Sequence, residues 1–187
     1  VIYDSRKAVP GCIFLCMPGA VTDGHDYIPE VLEKGAAALV VEREVAVPKD
    51  VTVLRVENAR LALAELAAAW YGHPAEKLTT IGVTGTKGKT TTTYMIRGIL
   101  EKAGKPTGLI GTIEAIIGDR HIPAVNTTPE SFLVQKYFAE MVEAGIQYVV
   151  MEVSSQAMKL DRVAGFTYDY AIFTNLEPDH IGPGEHE

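Results

Sequence analysis

Cysteine is scarce in this 187-residue chain, with only Cys12 and Cys16 present. Neither has histidine partners at zinc-ligand spacing, so the pair reads as buried free thiols rather than a metal site or a disulfide. Long apolar runs are missing as well. Even a stretch such as Ala36 to Val41 is far too short to cross a bilayer core of about 30 Å, and no membrane association is expected. Basic charge is in deficit: 17 Lys and Arg stand against 24 Asp and Glu, a formal net charge of −7. That speaks against nucleic acid as a partner gripped by a generally basic surface, while leaving room for a local basic pocket around a phosphorylated ligand. No internal repeat, low-complexity tract or signal peptide is visible, which makes the cytoplasm the expected compartment. The chain starts without Met and stops at Glu187 within a polar segment, so it is expected to be a fragment. Ser154 and Ser155 lack a Gly-x-Ser-x-Gly setting and are not read as nucleophiles.

What is present is ordinary globular composition, 47% hydrophobic and 22% charged, which excludes a disordered tail. The first seventy-odd residues form one unit. Cys12 to Cys16 reads as a strand, Ile28 to Lys34 as a helix closed by Gly35, Ala38 to Val41 and Val51 to Val56 as strands. Asn58 can cap a helix carrying Leu61, Leu63, Leu66 and Trp70, with Gly72 and Pro74 as its stop. A domain boundary is expected across Gly72 to Lys77. Beyond it, strand Thr80 to Thr84 leads through a Gly/Lys/Thr loop into a helix from about Thr90 to Ala103, with an apolar stripe of Met95, Ile96, Ile99, Leu100 and Ala103. Leu109-Ile110, Tyr148 to Val153 and Tyr170 to Phe173 read as further strands, and Pro129 to Ala144 as a helix. Apolar strands alternating with helices indicate a parallel α/β sheet buried on both faces.

Gly85-Thr86-Lys87-Gly88-Lys89-Thr90 is the strongest chemical signal. It lies between a predicted strand and a predicted helix, the context a phosphate loop requires. Glycines let backbone N–H groups turn around phosphate oxygens, and the helix N-terminus adds its positive end. Lys89 would neutralise the terminal phosphates and the Thr90 hydroxyl would ligate Mg²⁺. The usual first glycine, five residues before Gly88, is Val83, so the loop is a variant.

Two other strand ends carry polar clusters, where open α/β sheets bind ligands. Glu152-Val153-Ser154-Ser155 places an acid at the end of a hydrophobic strand, suited to Mg²⁺. In Asn175 to His180, His180 could ligate a metal and Asn175 could donate to a nucleotide. Asp4-Ser5-Arg6 and Asn126-Thr127-Thr128-Pro129 are polar clusters with turn chemistry as the plain alternative. His25, His73, His121 and His186 show no partner pattern and read as solvated.

Together these residues resemble the Mur ligases, the ATP-dependent amino-acid-adding enzymes of peptidoglycan synthesis. Gly85 to Thr92 resembles that family's ATP loop, which is likewise irregular at its first glycine. Asp4-Ser5-Arg6 with Pro10-Gly11 and Asp23-Gly24-His25, then Asn126 to Pro129, then Met151 to Ser155 with Arg162, resemble the branch that adds the third residue. The resemblance implies an α/β fold with a small N-terminal domain over 1–74 for the uridine nucleotide. A truncated P-loop, mostly parallel-sheet ATPase domain would follow over 78–187, with the C-terminal amino-acid-binding domain absent. It implies Tyr3, Ser5, Ala20, Val21 and Thr22 near the UDP moiety. Asn126, Thr127, Thr128, Ser154 and Arg162 would lie near the muramoyl-dipeptide. Gly85 to Thr91 and Asn175 would contact ATP, with Lys89, Glu152 and His180 catalytic and Thr90, Glu152 and His180 on Mg²⁺. The implied substrates are UDP-N-acetylmuramoyl-dipeptide and an amino acid, meso-diaminopimelate favoured over L-lysine, and the implied state is a monomer. The chain departs from the family at Gln156, where His is usual, at Leu160, where Gln is common, and over 181–185. The family's carbamylated lysine would fall beyond Glu187. A P-loop kinase or simple ATPase would account for 80–92 and Glu152 but not for Asp4 to Arg6 or Asn126 to Pro129. A GTPase would need an Asn-Lys-x-Asp signature. A degenerate Mur-like protein that only binds the nucleotide precursor finds support in Gln156 and the altered tail.

Overall fold

The structure, a computed structural model, describes residues 1–19 and 22–178. Two compact units divide it, Val1–Leu66 and Ala67–Glu187, so the division falls within a helix ahead of the 72–77 segment suggested by composition.

The first unit is a three-stranded parallel sheet. Strands β1 (Ile13–Leu15), β2 (Ala38–Val41) and β3 (Thr52–Arg55) lie in that order, with Ile13 opposite Ala38 and Ala38 opposite Thr52. Helix α1 (Ile28–Glu33) stops where Gly35 adopts φ +83°, a conformation that ends a helix at little cost only for glycine. Asn58 caps α2 (Ala59–Trp70) as expected, its Oδ1 accepting from Leu61 N at 3.0 Å. The core gathers Phe14, Val31, Leu39 and Val41 around Cys12 and Cys16. Both cysteines are free and buried, and burial pushes the Cys16 thiol up to about 12, leaving it protonated at neutral pH. Strand β3 is exposed at each position and, among the described residues, pairs with β2 alone at the sheet edge.

His25 departs from the solvated reading. Its Nδ1 lies 2.6 Å from Asp23 Oδ1, and its Nε2 accepts from the Glu42 N–H at 3.2 Å, which places the proton on Nδ1. Glu42 in turn accepts from the first N–H of α2, Ala59 N, at 2.7 Å. A histidine buried this way spends both ring nitrogens inside the unit. Sequence spacing could not show it, since Glu42 is far along the chain.

The backbone N–H of His25, followed by its ring, holds the Asp23 carboxyl below the usual carboxylate range. A carboxyl lowered in the folded state contributes stability above its unfolded value near 4, and that contribution vanishes as pH falls through the lowered value. Asp23→Asn is therefore expected to lower the unfolding free energy of this unit, read from urea titration at pH 7, by roughly 1 kcal/mol. The gap to wild type should close towards pH 3, and a gap independent of pH would refute the assignment.

The second unit is a six-stranded mixed sheet. The strands are β4 (Thr79–Thr84), β5 (Thr107–Ile110), β6 (Glu114–Ile117), β7 (Arg120–Pro123), β8 (Tyr148–Glu152) and β9 (Tyr170–Phe173). Their order is β7-β6-β5-β8-β4-β9, with β5, β8, β4 and β9 parallel and the β6–β7 hairpin antiparallel. Helices α3 (Lys89–Lys102), α4 (Ser131–Glu143) and the short α5 (Ser155–Lys159) complete it. The main core packs Val134, Phe138 and Met141 of α4 against Ile110, Ile117, Val149 and Met151 of the sheet. Behind the phosphate loop, Ile96 and Leu100 of α3 cover Ile81, Val83 and Val150.

Two sequence expectations change here. Met95 and Ile99 are 61% and 66% exposed, although they belong to the expected stripe. Ile96 and Leu100 share the row facing the sheet, and the neighbouring row of Met95 and Ile99 turns outward. Strand β9 is not buried on both faces either: Tyr170 and Phe173 are largely exposed, and β9 pairs with β4 alone among the described residues. No helix of the described residues is long and apolar enough to cross a membrane.

Candidate functional site

Parallel strands bring their carboxyl ends to one edge of the sheet, and four polar segments meet there. The loop Gly85 to Gly88 follows β4, Gly111-Thr112 follows β5, Glu152 closes β8 and Thr174-Asn175 follows β9. Gly85 has φ +128°, and a Cβ on it would collide with Thr174 Oγ1 and approach the Asn175 main chain to 2.9 Å, so only glycine fits. Gly88 supplies the left-handed residue before α3.

The segment after β9 braces this loop from outside. Asn175 accepts from Lys87 N through Oδ1 at 2.9 Å and donates from Nδ2 to Lys87 O at 3.1 Å. Its main-chain oxygen accepts from Thr86 N at 3.0 Å. Thr174 Oγ1 donates to Lys87 O at 2.7 Å, and Glu177 N donates to Thr86 Oγ1 at 2.9 Å. Asn175, read from sequence as a nucleotide donor, thus spends its side chain on shaping the loop. The Lys89 ammonium folds over the loop and donates to Gly85 O at 2.6 Å and Thr86 O at 3.0 Å. Thr91 is exposed on the first turn of α3, whose leading N–H groups have no intrahelical carbonyl.

Glu152 is 1% exposed. Its carboxylate accepts from Thr90 Oγ1 at 2.9 Å, from Thr112 N at 2.9 Å and from Thr112 Oγ1 at 3.0 Å. Among the described residues no cation pairs with it. Buried charges are ordinarily paired or bound to metal, so this carboxylate beside the Thr90 hydroxyl has the donor chemistry for a hard divalent cation such as Mg²⁺. No group of three or more His, Cys, Asp or Glu among the described residues could hold a metal by itself. His180 lies outside the described residues.

Substrate-side candidates gather next to this cluster. Thr128, 1% exposed, donates from Oγ1 to Glu152 O at 2.9 Å and accepts from Ser154 N at 3.1 Å. Thr127 Oγ1 lies 3.1 Å from Thr112 Oγ1. Ser154 Oγ accepts from Ala157 N and so caps α5. Arg162 pairs with Glu130 at 2.9 Å and donates to Thr128 O at 3.2 Å. A cavity of about 720 Å³ joins Gly85, Thr86 and Lys89 at one end to Asn126, Thr127, Thr128, Ser154 and Arg162 at the other. Lys89, Lys159 and the Glu130-paired Arg162 line it against Glu177, and the positive charge left over favours an anionic ligand. Tyr3, Ser5 and Thr22 lie in the other unit, Ser5 buried at the start of a 3₁₀ turn that Asp4 caps. Ala20 and Val21 lie outside the described residues.

Sequence reasoning missed Thr112, Lys159 and Glu130. The signal for Thr112 was present: Gly111-Thr112 follows a strand directly at the ligand edge, and a Cβ on Gly111 would meet Glu152 Oε1. Lys159 and Glu130 carry no local pattern.

The family profile for the Mur ligase middle domain matches residues 83–187, and that for the Mur ligase family, catalytic domain, matches residues 1–71. The chain is 48% identical over 179 residues to the UDP-N-acetylmuramoyl-L-alanyl-D-glutamate--2,6-diaminopimelate ligase of Clostridium perfringens, covering 96% of this chain and 37% of that protein. It is 52% identical over 178 residues to the ligase of the same name from Geobacillus thermodenitrificans, covering 95% and 36%. A solved structure of a ligase of that name superposes with a TM-score of 0.84 at 24% identity, covering 98% of this chain and 37% of the other. MurF from Acinetobacter baumannii superposes with a TM-score of 0.55 at 30% identity, covering 83% and 30%. The chain thus spans a little over a third of the length of the curated relatives it matches. By both profiles and by the shared α/β fold, the chain belongs to the Mur ligase family.

Proposed function

We propose that the protein is an ATP-dependent ligase adding meso-diaminopimelate to UDP-N-acetylmuramoyl-L-alanyl-D-glutamate in the cytoplasm. The observation that carries this reading is the cavity that runs from Lys89 to Arg162, whose lining residue Thr128 is hydrogen-bonded to the buried Glu152. It sets a phosphate loop and the basic side chains of Lys159 and Arg162 along one space. Relatives named for this reaction share about half of the residues.

The protein's own residues divide the work. The loop N–H groups and Lys89 hold the ATP phosphates, with Lys89 exchanging its loop carbonyls for phosphate oxygens. Glu152 and Thr90, with His180, would hold Mg²⁺, which would screen the charge of the transferring phosphoryl group. Thr128, Ser154 and Arg162 orient the D-glutamyl end of the precursor, with Asn126 and Thr127 beside them. Its free side-chain carboxylate oxygen then attacks the γ-phosphorus as the bond to ADP breaks, giving an acyl phosphate. The amine of the incoming amino acid adds to that carbonyl carbon, and phosphate and a proton leave as the amide forms. Two anions must meet in the first step, and the cationic lining of Lys89, Lys159 and Arg162 lowers that repulsion. The N-terminal unit, with Tyr3, Ser5 and the loop through Thr22, binds the uridine diphosphate end, and residues 1–74 and 78–187 act as the two domains.

The full-length protein with ATP, Mg²⁺ and the muramoyl-dipeptide precursor tests this through phosphate release. Release is expected with meso-diaminopimelate and not with L-lysine. Release with L-lysine alone would reassign the amino acid. Release with neither, despite tight precursor binding, would favour a protein that only binds the precursor.

A further inference from the structure

Thr112 is unused by the reading above, yet its side chain touches both halves of the site. Its Oγ1 lies 3.0 Å from Glu152 Oε2 and 3.1 Å from Thr127 Oγ1, and its N–H donates to Glu152 Oε1 at 2.9 Å. A hydroxyl owns a single proton. When Thr112 donates that proton to the carboxylate, the stronger acceptor, its oxygen is left to accept from Thr127. The two threonines then form one chain of O–H bonds pointing at Glu152. Thr127 lines the cavity, and with its proton spent on Thr112 it has only lone pairs to offer a ligand there. Lone pairs there oppose a carboxylate ligand.

We propose that Thr112 is a positioning residue that makes the Thr127 hydroxyl answer to the charge on Glu152. A cation on the Glu152 carboxylate weakens its pull on the Thr112 proton. Thr112 can then donate to Thr127, and the Thr127 proton turns to the cavity, where it can donate to an anionic group. Occupation of the metal and nucleotide end thereby strengthens binding of a carboxylate-bearing ligand at the other end, and the coupling is reciprocal. This rests on the ligase reading for the identity of that ligand. The geometry supports a direct test, because Thr112 is exposed and its hydroxyl can be removed without emptying a core.

The test is calorimetric binding of UDP-N-acetylmuramoyl-L-alanyl-D-glutamate to the full-length protein, with and without Mg²⁺ and a non-hydrolysable ATP analogue. The quantity read is the ratio of the two dissociation constants. In wild type the ratio is well above one. In Thr112→Val it falls by about tenfold, the lower end of the scale for one hydrogen bond to a charged group, while Thr112→Ser restores it to within about twofold. Thr127→Val lowers the ratio to the same extent, and combining it with Thr112→Val lowers it no further. A merely structural role would shift both constants together and leave the ratio unchanged. A wild-type ratio in Thr112→Val, or a Thr112→Ser protein that behaves like the valine variant, would overturn the proposal. Absence of precursor binding by wild type under both conditions would instead sink the ligase reading, and this proposal with it.

Discussion

Lys89→Ala is expected to reduce phosphate release by the full-length protein at least about a thousandfold while precursor binding stays within about threefold. The ammonium sits at the loop mouth within reach of Gly85 O and Thr86 O, where it can move onto phosphate oxygens with little rearrangement. Charge developing on the transferring phosphoryl group has no other lysine of this loop so placed, since Lys87 is exposed and is not part of the cavity lining. The loop itself should survive the change. Asn175, Thr174 and Glu177 hold it through contacts that do not involve the Lys89 side chain. Steady-state turnover and precursor calorimetry on the same preparation check both halves. Near-normal turnover would remove the phosphate-loop assignment, and lost precursor binding would show that the lysine serves the fold instead.

Glu152→Gln should separate activity from stability. The groups facing this carboxylate are donors: the Thr90 hydroxyl, and the N–H and hydroxyl of Thr112. An amide of the same shape turns an NH₂ towards one of them and removes the charge a divalent cation needs. Turnover is expected to fall about 10²- to 10³-fold. Stability without metal should change little, because the mispaired amide costs roughly what relief of a buried unpaired charge returns. In thermal melts, Mg²⁺ with nucleotide should raise the midpoint of wild type by several degrees and leave the variant unmoved. A variant that keeps the full ligand-induced rise would show that Glu152 does not hold the metal.

Much of this site was legible in the sequence because its signals are local. Gly85 to Thr90 is a contiguous loop between a strand and a helix, and Glu152 ends an apolar run, so position along the chain almost determines position in the sheet. The β6–β7 hairpin was harder to see. Its Gly118-Asp119 turn is a two-residue signal, with Gly118 at φ +59°, but the flanking strands are short and one carries Arg120 and His121. Side-chain networks were least visible. Nothing near Thr112 announces Glu152, forty residues on, and His25 meets Glu42 only because β1 and β2 pair in parallel. The same limit explains Met95 and Ile99, whose period fits a buried face that the sheet does not extend to cover.

The bracing of the phosphate loop by Thr174, Asn175 and Glu177 has a kinetic consequence. A flexible loop must be ordered by its ligand, and each encounter then waits on a conformational search. Here the backbone is already curved by hydrogen bonds from another strand end, so a nucleotide meets a finished cradle. Association should therefore behave as rigid docking of an anion onto a positive rim. Its rate would rise steeply as ionic strength falls and would saturate at no accessible nucleotide concentration.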